Sequence, residues 1–264
     1  MRPKDNNEAG FRNPMDFEPF GASGDASEPA AGKMTRIEAE NQWLRRFVPS
    51  AVREAIEKDP FTPPLCRLCR QTRDLTVLFV DIAGCTRLCE VLPPERVQDL
   101  IEEYFSSFID EVHELGGTIN ETAGDGLMVL FPGEGPEGHA RAAVRAASLI
   151  HSRTMEFEVC HASECRDLAV HIGVNSGPAN LGVMEYRGRR EVRATYTAIG
   201  PVTNLAARLT GLAPARKTYA SEETWRRLNG AFKGCYAGSF ELKNIGRPVK
   251  VYDVTADLVP GPGS

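Results

Sequence analysis

The sequence predicts an α+β fold built from split β-α-β units, and three observations carry that prediction. A compact apolar strand, Leu75 to Val80, ends in Asp81-Ile82-Ala83-Gly84-Cys85-Thr86. A stretch that alternates from Ile119, turns at Gly124-Asp125-Gly126 and leaves as the apolar run Leu127 to Phe131 reads as a β-hairpin with a D-G turn. Helical periodicity follows both the strand and the hairpin, and a further strand, A-V-H-I-G-V within Leu168 to Val174, completes the unit.

Taken in order, residues 1 to about 33 are rich in Gly, Pro, Ala, Ser, Asp and Asn without period and read as a disordered tail. A helical segment from Met34 to Lys58 follows, with Ile37, Asn41, Leu44 and Val48 on one face and Val52 and Ile56 after a break at Pro49. It fits either a helix packed on the domain or a stalk joining two chains. Pro60, Pro63 and Pro64 mark a linker, and Cys66 and Cys69 in it read as solvated thiols, since a metal site would want a second tight pair. The other cluster, Cys160, His161 and Cys165, lacks that spacing and belongs to an expected surface loop from Cys160 to Arg166.

After the first strand a helix is expected from Pro94 to Leu115, with Val97, Leu100, Tyr104, Phe108 and Val112 inward and Gly116-Gly117 as its stop. A second, Ala-rich helix runs from about Gly138 to Met155. His171 reads as a half-buried strand residue rather than a ligand, because no partner stands near it in sequence. Glu185 to Arg193, with four arginines, is an exposed loop or hairpin arm, and Ala194 to Gly200 is a strand. Pro201 then opens a helix on which Asn204 and Arg208, four residues apart, share a face. A strand at Lys217 to Ala220, a helix at Glu222 to Leu228 and a strand pair at Phe240 to Leu242 and Val249 to Val254 complete the chain, with Lys243 between that last pair. The order strand, helix, hairpin, helix, strand is that of ferredoxin-like βαββαβ sheets, here with a C-terminal extension.

At 264 residues the chain is expected to hold one main domain plus appendages. No apolar run approaches a membrane span, and the N-terminus lacks a signal-peptide core, so a cytoplasmic location is expected. A net charge of −5 argues against general nucleic-acid binding, and seven cysteines suggest free thiols rather than a disulfide frame.

In such a sheet the end of the first strand and the hairpin tip are neighbours, so Asp81 and Asp125 can converge. Two carboxylates beside a Gly turn suit Mg²⁺ or Mn²⁺ ions bridging a triphosphate. Phosphoryl chemistry also needs a cation on the developing charge, for which Arg208 and Lys243 are candidates. By themselves Asp125 is ordinary turn chemistry and Asn204–Arg208 a solvated stripe. The case rests on their coincidence.

Those residues also carry a family likeness. F-V-D-I-A-G-C-T at 79–86, E-T-A-G-D-G at 121–126 and T-A-I-G-P-V-T-N-L-A-A-R at 197–208 resemble the class III nucleotidyl cyclases over about Thr76 to Val254, and L-K-N-I at 242–245 does so more loosely. The resemblance implies a cyclase homology domain over 75–255, preceded by a helical segment at 34–70 and followed by a tail at 256–264. It implies that Asp81 and Asp125, with the Ile82 carbonyl, hold two Mg²⁺ or Mn²⁺ ions per site. The turn from Ala83 through Gly84, Cys85 and Thr86 would cradle phosphates, and Lys243 would meet the terminal ones. Asn204 would orient the ribose, Arg208 would stabilise the transition state, and Glu121 and Thr197 would read the purine. The family builds its site between two head-to-tail domains, so a homodimer with ATP or GTP as substrate is implied.

Two departures stand out. Cys85 replaces a usual aromatic residue, and Glu121 replaces the lysine of adenylate cyclases, matching guanylate cyclases instead. A carboxylate only accepts hydrogen bonds, which suits the N–H donors of guanine. The Thr197 hydroxyl can donate or accept, so ATP and GTP both stay open. A catalytically silent nucleotide-sensing module and a pyrimidine cyclase are the alternatives.

Overall fold

The structure is a computed structural model that describes residues 35–63, 66, 68–133 and 135–255, with the backbone alone at 121–123. The expected tails at 1–33 and 256–264 lie outside the described residues.

Two compact units meet in sequence at Trp43 and Leu44. The first contributes α1 (Arg36–Leu44), started by a reciprocal cap in which the Thr35 amide donates to Glu38 Oε2 at 2.7 Å and the Glu38 amide to Thr35 Oγ1 at 3.3 Å. The second begins with a 3₁₀ turn (Arg45–Phe47) and α2 (Ser50–Lys58), opened by Pro49.

The body of the second unit is one eight-stranded sheet. β1 (Gln71–Ala83) leads into α3 (Cys85–Val91), α4 (Pro94–Ser106) and α5 (Ile109–Glu114). The hairpin β2 (Thr118–Ala123) and β3 (Gly126–Phe131) follows, then α6 (Gly135–Cys160) and β4 (Ala169–Arg187). β5 (Val192–Ile199), α7 (Pro201–Leu212), β6 (Lys217–Ser221), α8 (Glu222–Leu228), β7 (Cys235–Phe240) and β8 (Val249–Asp253) complete the order. The strands run β2-β3-β1-β4-β6-β8-β7, with β5 paired to the far end of β4. β1 is antiparallel to both β3 and β4, which is the split β-α-β core expected; β6 then joins β4 in parallel.

Strand alternation distributes side chains to two faces. Leu78, Val80 and Ile82 join Val129, Phe131, Ile172 and Val174 under Tyr104, Phe108 and Ile150 of the helical layer. Leu75 and Val77 point the other way, with Met128, Leu130 and Leu181, against Val202 and Ala206 of α7 and Tyr196 and Ala198 of β5. Ala51 and Val52 of α2 pack at the margin of this second cluster. Both faces of β1 are therefore covered, and this explains its unbroken apolar run.

Gly173 sets how closely α7 approaches the sheet. A Cβ there would lie 2.3 Å from the Thr210 amide nitrogen and 2.4 Å from the Ala206 carbonyl oxygen. Only a residue without a side chain lets these backbones meet.

Several elements differ from expectation. The single helix expected from Pro94 to Leu115 is two, because Phe108 leaves helical geometry at φ −142°, ψ 0°. Ser106 Oγ and Ser107 Oγ donate back to the Glu102 and Tyr104 carbonyls at 2.6 Å each, competing with the helical ladder. Phe108 and Val112 both stay in the core across the break. The expected loop at Cys160 to Arg166 is not wholly superficial: Cys165 is buried, and Glu164 forms a two-bond ion pair with Arg96 at 2.8 and 2.6 Å. β4 continues well past Val174, because its far half has a second partner in β5. The strand expected at Phe240 to Leu242 lies earlier, as β7. The arm from Glu185 to Arg193 is indeed the exposed end of a hairpin, and Cys66 and Cys69 are exposed free thiols.

Candidate active site

β1 delivers Asp81 and the hairpin delivers Asp125, and register brings the two together. Asp81 lies opposite Gly126, and the Ile82 amide donates to the Asp125 carbonyl at 3.2 Å, tying the tip to the strand end. The turn residues are Gly124 and Asp125, with Gly126 already paired; Gly124 takes φ +62° and Asp125 does not need the left-handed region. The turn is thus led by its glycine, not formed by the D-G pair the sequence suggested.

The Asp81 carboxyl is pushed above the usual carboxylate range by burial and then by the negative charge of Asp125, with His171 opposing. The register and the Ile82–Asp125 backbone bond bring both residues to the same end of the sheet. Cys85 is buried, its thiol pushed up to about 12 by burial and by the nearby Asp125 carboxylate. It fills the aromatic residue's place as an inert packing group. Gly84, at φ +77°, opens α3, and its carbonyl accepts the Arg87 amide at 2.9 Å. Thr86 is exposed at the start of α3, and Thr86, Cys85 and Asp125 line a cleft of about 840 Å³.

Asn204 and Arg208 are exposed on α7 as expected, and Pro201 takes the first turn. Asn204 lines a second cavity of about 830 Å³ with Asn244 and Arg247 from the β7–β8 connection, where Asn244 follows Lys243 in sequence, and with Lys250 of β8. Asp81 shares a recess of about 360 Å³ with Ala207 and Gly211 of α7. Among the described residues no hydrogen bond or ion pair joins Asp81 or Asp125 to Asn204, Arg208 or Lys243. Asp81, Asp125 and Asn204 each line a different cavity of the chain.

Two residues near the site were not singled out from the sequence. His171 does have partners: it lies directly opposite Asp81 in register, and its Nδ1 donates to the Ala213 carbonyl at 2.7 Å. Because a carbonyl oxygen only accepts, that bond places a proton on Nδ1. Sequence distance hid this pairing, which only the β1–β4 register creates. The second is Asn120, the extra residue of a bulge between Ile119 and Glu121, whose Nδ2 donates to Thr197 Oγ1 at 3.3 Å. Glu121 keeps its place on β2, its backbone opposite Met128.

The donors suit a hard divalent cation: two carboxylates whose charges destabilise each other, beside a strand-end backbone carbonyl. Among the described residues no cluster of three or more His, Cys, Asp or Glu forms a metal cage, so the remaining ligands would be triphosphate oxygens or water. Among the described helices none is long and apolar enough to cross a membrane.

The split β-α-β sheet brings Asp81 and Asp125 to one strand end and hairpin tip, and the helix of Asn204 and Arg208 packs on β1 and β4. The chain belongs to the family of the adenylate and guanylate cyclase catalytic domain, whose model matches residues 69–256. It is 28% identical over 190 residues to an adenylate cyclase of Anabaena cylindrica, covering 68% of this chain and 34% of that protein. Its structure resembles the adenylyl cyclase CyaB of P. aeruginosa (29% identity, TM-score 0.65, 70% of this chain and 95% of that one). It also resembles the guanylyl cyclase Cya2 (26% identity, TM-score 0.62, 70% and 93%). The chain spans between a quarter and about a third of the length of the curated relatives it matches.

Proposed function

We propose that residues 75–255 form a catalytic domain that converts ATP or GTP into the 3′,5′-cyclic nucleotide and pyrophosphate, producing a second messenger in the cytoplasm. The observation that carries this reading is the convergence of Asp81 and Asp125 in a chain that also holds Asn204 and Arg208 on one helix face. Asp81, Asp125 and the Ile82 carbonyl would hold Mg²⁺ or Mn²⁺, two per site. Bound there, the cations neutralise the triphosphate and make the ribose 3′-hydroxyl more acidic.

The chain's own groups then have distinct tasks. The backbone from Gly84 to Thr86 faces the phosphates, and Lys243 meets the terminal ones. Asn204 holds the ribose so that its 3′-oxygen is aligned with the α-phosphorus. The 3′-hydroxyl loses its proton to water, a new bond forms from its oxygen to the α-phosphorus, the bond from the α-phosphorus to the bridging oxygen breaks, and pyrophosphate leaves. Arg208 balances the charge that builds on the transferring phosphorus, a role that can be worth about 10³–10⁵ in rate. As the resemblance to the family implies, a head-to-tail homodimer that sets the carboxylates of one chain against Asn204, Arg208 and Lys243 of the other would complete two equivalent sites.

The test is turnover of each of the four nucleoside triphosphates by purified protein with Mn²⁺ and with Mg²⁺, the product identified by mass. A cyclic purine nucleotide is the expected product. No cyclic product from any of the four would replace this reading with a catalytically silent nucleotide-sensing module.

A further inference from the structure

The cyclase reading gives no task to the two thiols beside Asp125. Cys85 and Cys89 lie on α3 four residues apart, a spacing that stacks them on one face of the helix. Both line the cleft of about 840 Å³ that also holds Thr86 and Asp125. Both are free thiols, Cys85 buried and Cys89 exposed, so solvent reaches the pair through Cys89. By itself Cys85 is a poor nucleophile, because burial and then the Asp125 carboxylate push its thiol up to about 12. Beside Cys89 it is half of a chelate.

Spacing decides between the reactions open to two thiols. Side chains one helical turn apart have Cβ atoms about 5–6 Å from each other. A disulfide wants about 3.5–4.5 Å, so forming one would have to distort α3. A metal ion bonded to sulfur at about 2.3 Å instead spans two sulfurs about 4–4.6 Å apart, which the helical spacing allows. Among the described residues no third His, Cys, Asp or Glu completes a metal cluster with them. Zinc takes four ligands in structural sites, and the hard catalytic cations prefer oxygen. Monovalent copper is soft, favours thiolate and is satisfied by two sulfurs in line. The high pKa of Cys85 does not oppose it, since coordination deprotonates a thiol outright.

We propose that Cys85 and Cys89 form a two-thiolate site for Cu(I) on the wall of the cleft beside Asp125. On binding, both S–H protons leave to solvent, one Cu(I) bridges the two sulfurs and its oxidation state is unchanged. The pair passes from neutral to one net negative charge. What this does to activity rests on the cyclase reading above, in which the backbone from Gly84 to Thr86 faces the triphosphate. A negative charge held at Cys85 opposes the phosphates and leaves the oxygen-bound cations in place. Copper is therefore an inhibitor competitive with nucleotide. It should raise KM by about fivefold or more, since one added charge a few ångströms from another costs that much even in water.

The test uses reduced protein under argon, with Cu(I) supplied as its bicinchoninate complex, whose colour fades as protein withdraws the metal. Cys66→Ser and Cys69→Ser are introduced first, because those exposed thiols form another closely spaced pair. This parent is expected to withdraw about one Cu(I) per chain and, once loaded, to protect Cys89 from alkylation read by peptide mass. Adding Cys89→Ser, at an exposed position outside the nucleotide-binding residues, should abolish the withdrawal and leave basal turnover unchanged. Cys85→Ser should abolish the withdrawal too. Turnover at nucleotide below KM should fall about fivefold or more with copper in the parent and not in the Cys89→Ser protein. Bicinchoninate that keeps its copper, or a Cys89→Ser protein that withdraws as much as its parent, overturns the site. Copper that binds without raising KM overturns its inhibitory effect. A protein that turns over no nucleotide, with or without copper, removes the cyclase reading, and the copper titration alone then decides the site.

Discussion

His151 supplies a quantitative test of how this core is held. It lies on α6, 4% exposed, with Nε2 2.9 Å from Thr218 Oγ1 on β6. Burial lowers its pKa to about 4; the Asp253 carboxylate opposes the shift, while Lys217 and Arg216 reinforce it. The folded protein thus keeps the ring neutral where the unfolded chain, with an ordinary histidine near 6.5, takes up a proton. The unfolded state binds more protons over that interval, so stability is full above the unfolded pKa and is lost as pH falls toward the folded one. Between pH 7 and pH 5 the loss assigned to this one ring is about 2 kcal/mol, approaching about 3 kcal/mol by pH 4. The perturbation is His151→Gln, which removes the titration and keeps a polar partner for Thr218. Urea unfolding of both proteins at pH 7, 6 and 5 is the assay. The unmodified protein should be destabilised on acidification by about 2 kcal/mol more than the variant, because the other titrating groups, including the similarly lowered His139, are common to both and cancel. Parallel losses in the two proteins would show that the buried ring is not what couples this core to pH.

Three further outcomes are expected. Gly173→Ala would drive a methyl group into the Ala206 and Thr210 backbone and lift α7 from the sheet, costing about 3 kcal/mol or more and moving Asn204 and Arg208 with it; an unchanged melting temperature would refute the close approach. Arg208→Ala should reduce kcat by about 10³-fold or more with an unaltered fold by circular dichroism, and activity within a few-fold of the original would mean that another cation stabilises the transition state. Deleting residues 1–58 removes the contacts of Ala51 and Val52 at the margin of the second core cluster, on the face that also carries Asn204 and Arg208. It should weaken dimer affinity and turnover together, measured by ultracentrifugation and initial rates; unchanged values for both would leave the segment without a regulatory role.

Much of this protein was determined by local sequence. The strand Leu75 to Val80 with Asp81 at its end, the hairpin around Asp125 and the helix opened by Pro201 are each marked by hydrophobic period and by Gly or Pro at a boundary. These short-range signals also carry the family resemblance, and they place each candidate residue on its element. The tertiary structure decided what those signals do not encode. The helix breaks at Phe108, although the periodicity runs on without interruption and Phe108 and Val112 stay in one core. The length of β4 depends on β5 arriving as a second partner for its far half. The His171–Asp81 juxtaposition depends on register between strands far apart in the chain. A one-residue bulge in β2 brings the Asn120 amide within 3.3 Å of the Thr197 hydroxyl, a contact that no local pattern marks. Local pattern chooses elements because backbone geometry and side-chain period are properties of neighbours. Register, bulges and side-chain hydrogen bonds are settled between distant segments, where only packing in three dimensions can act.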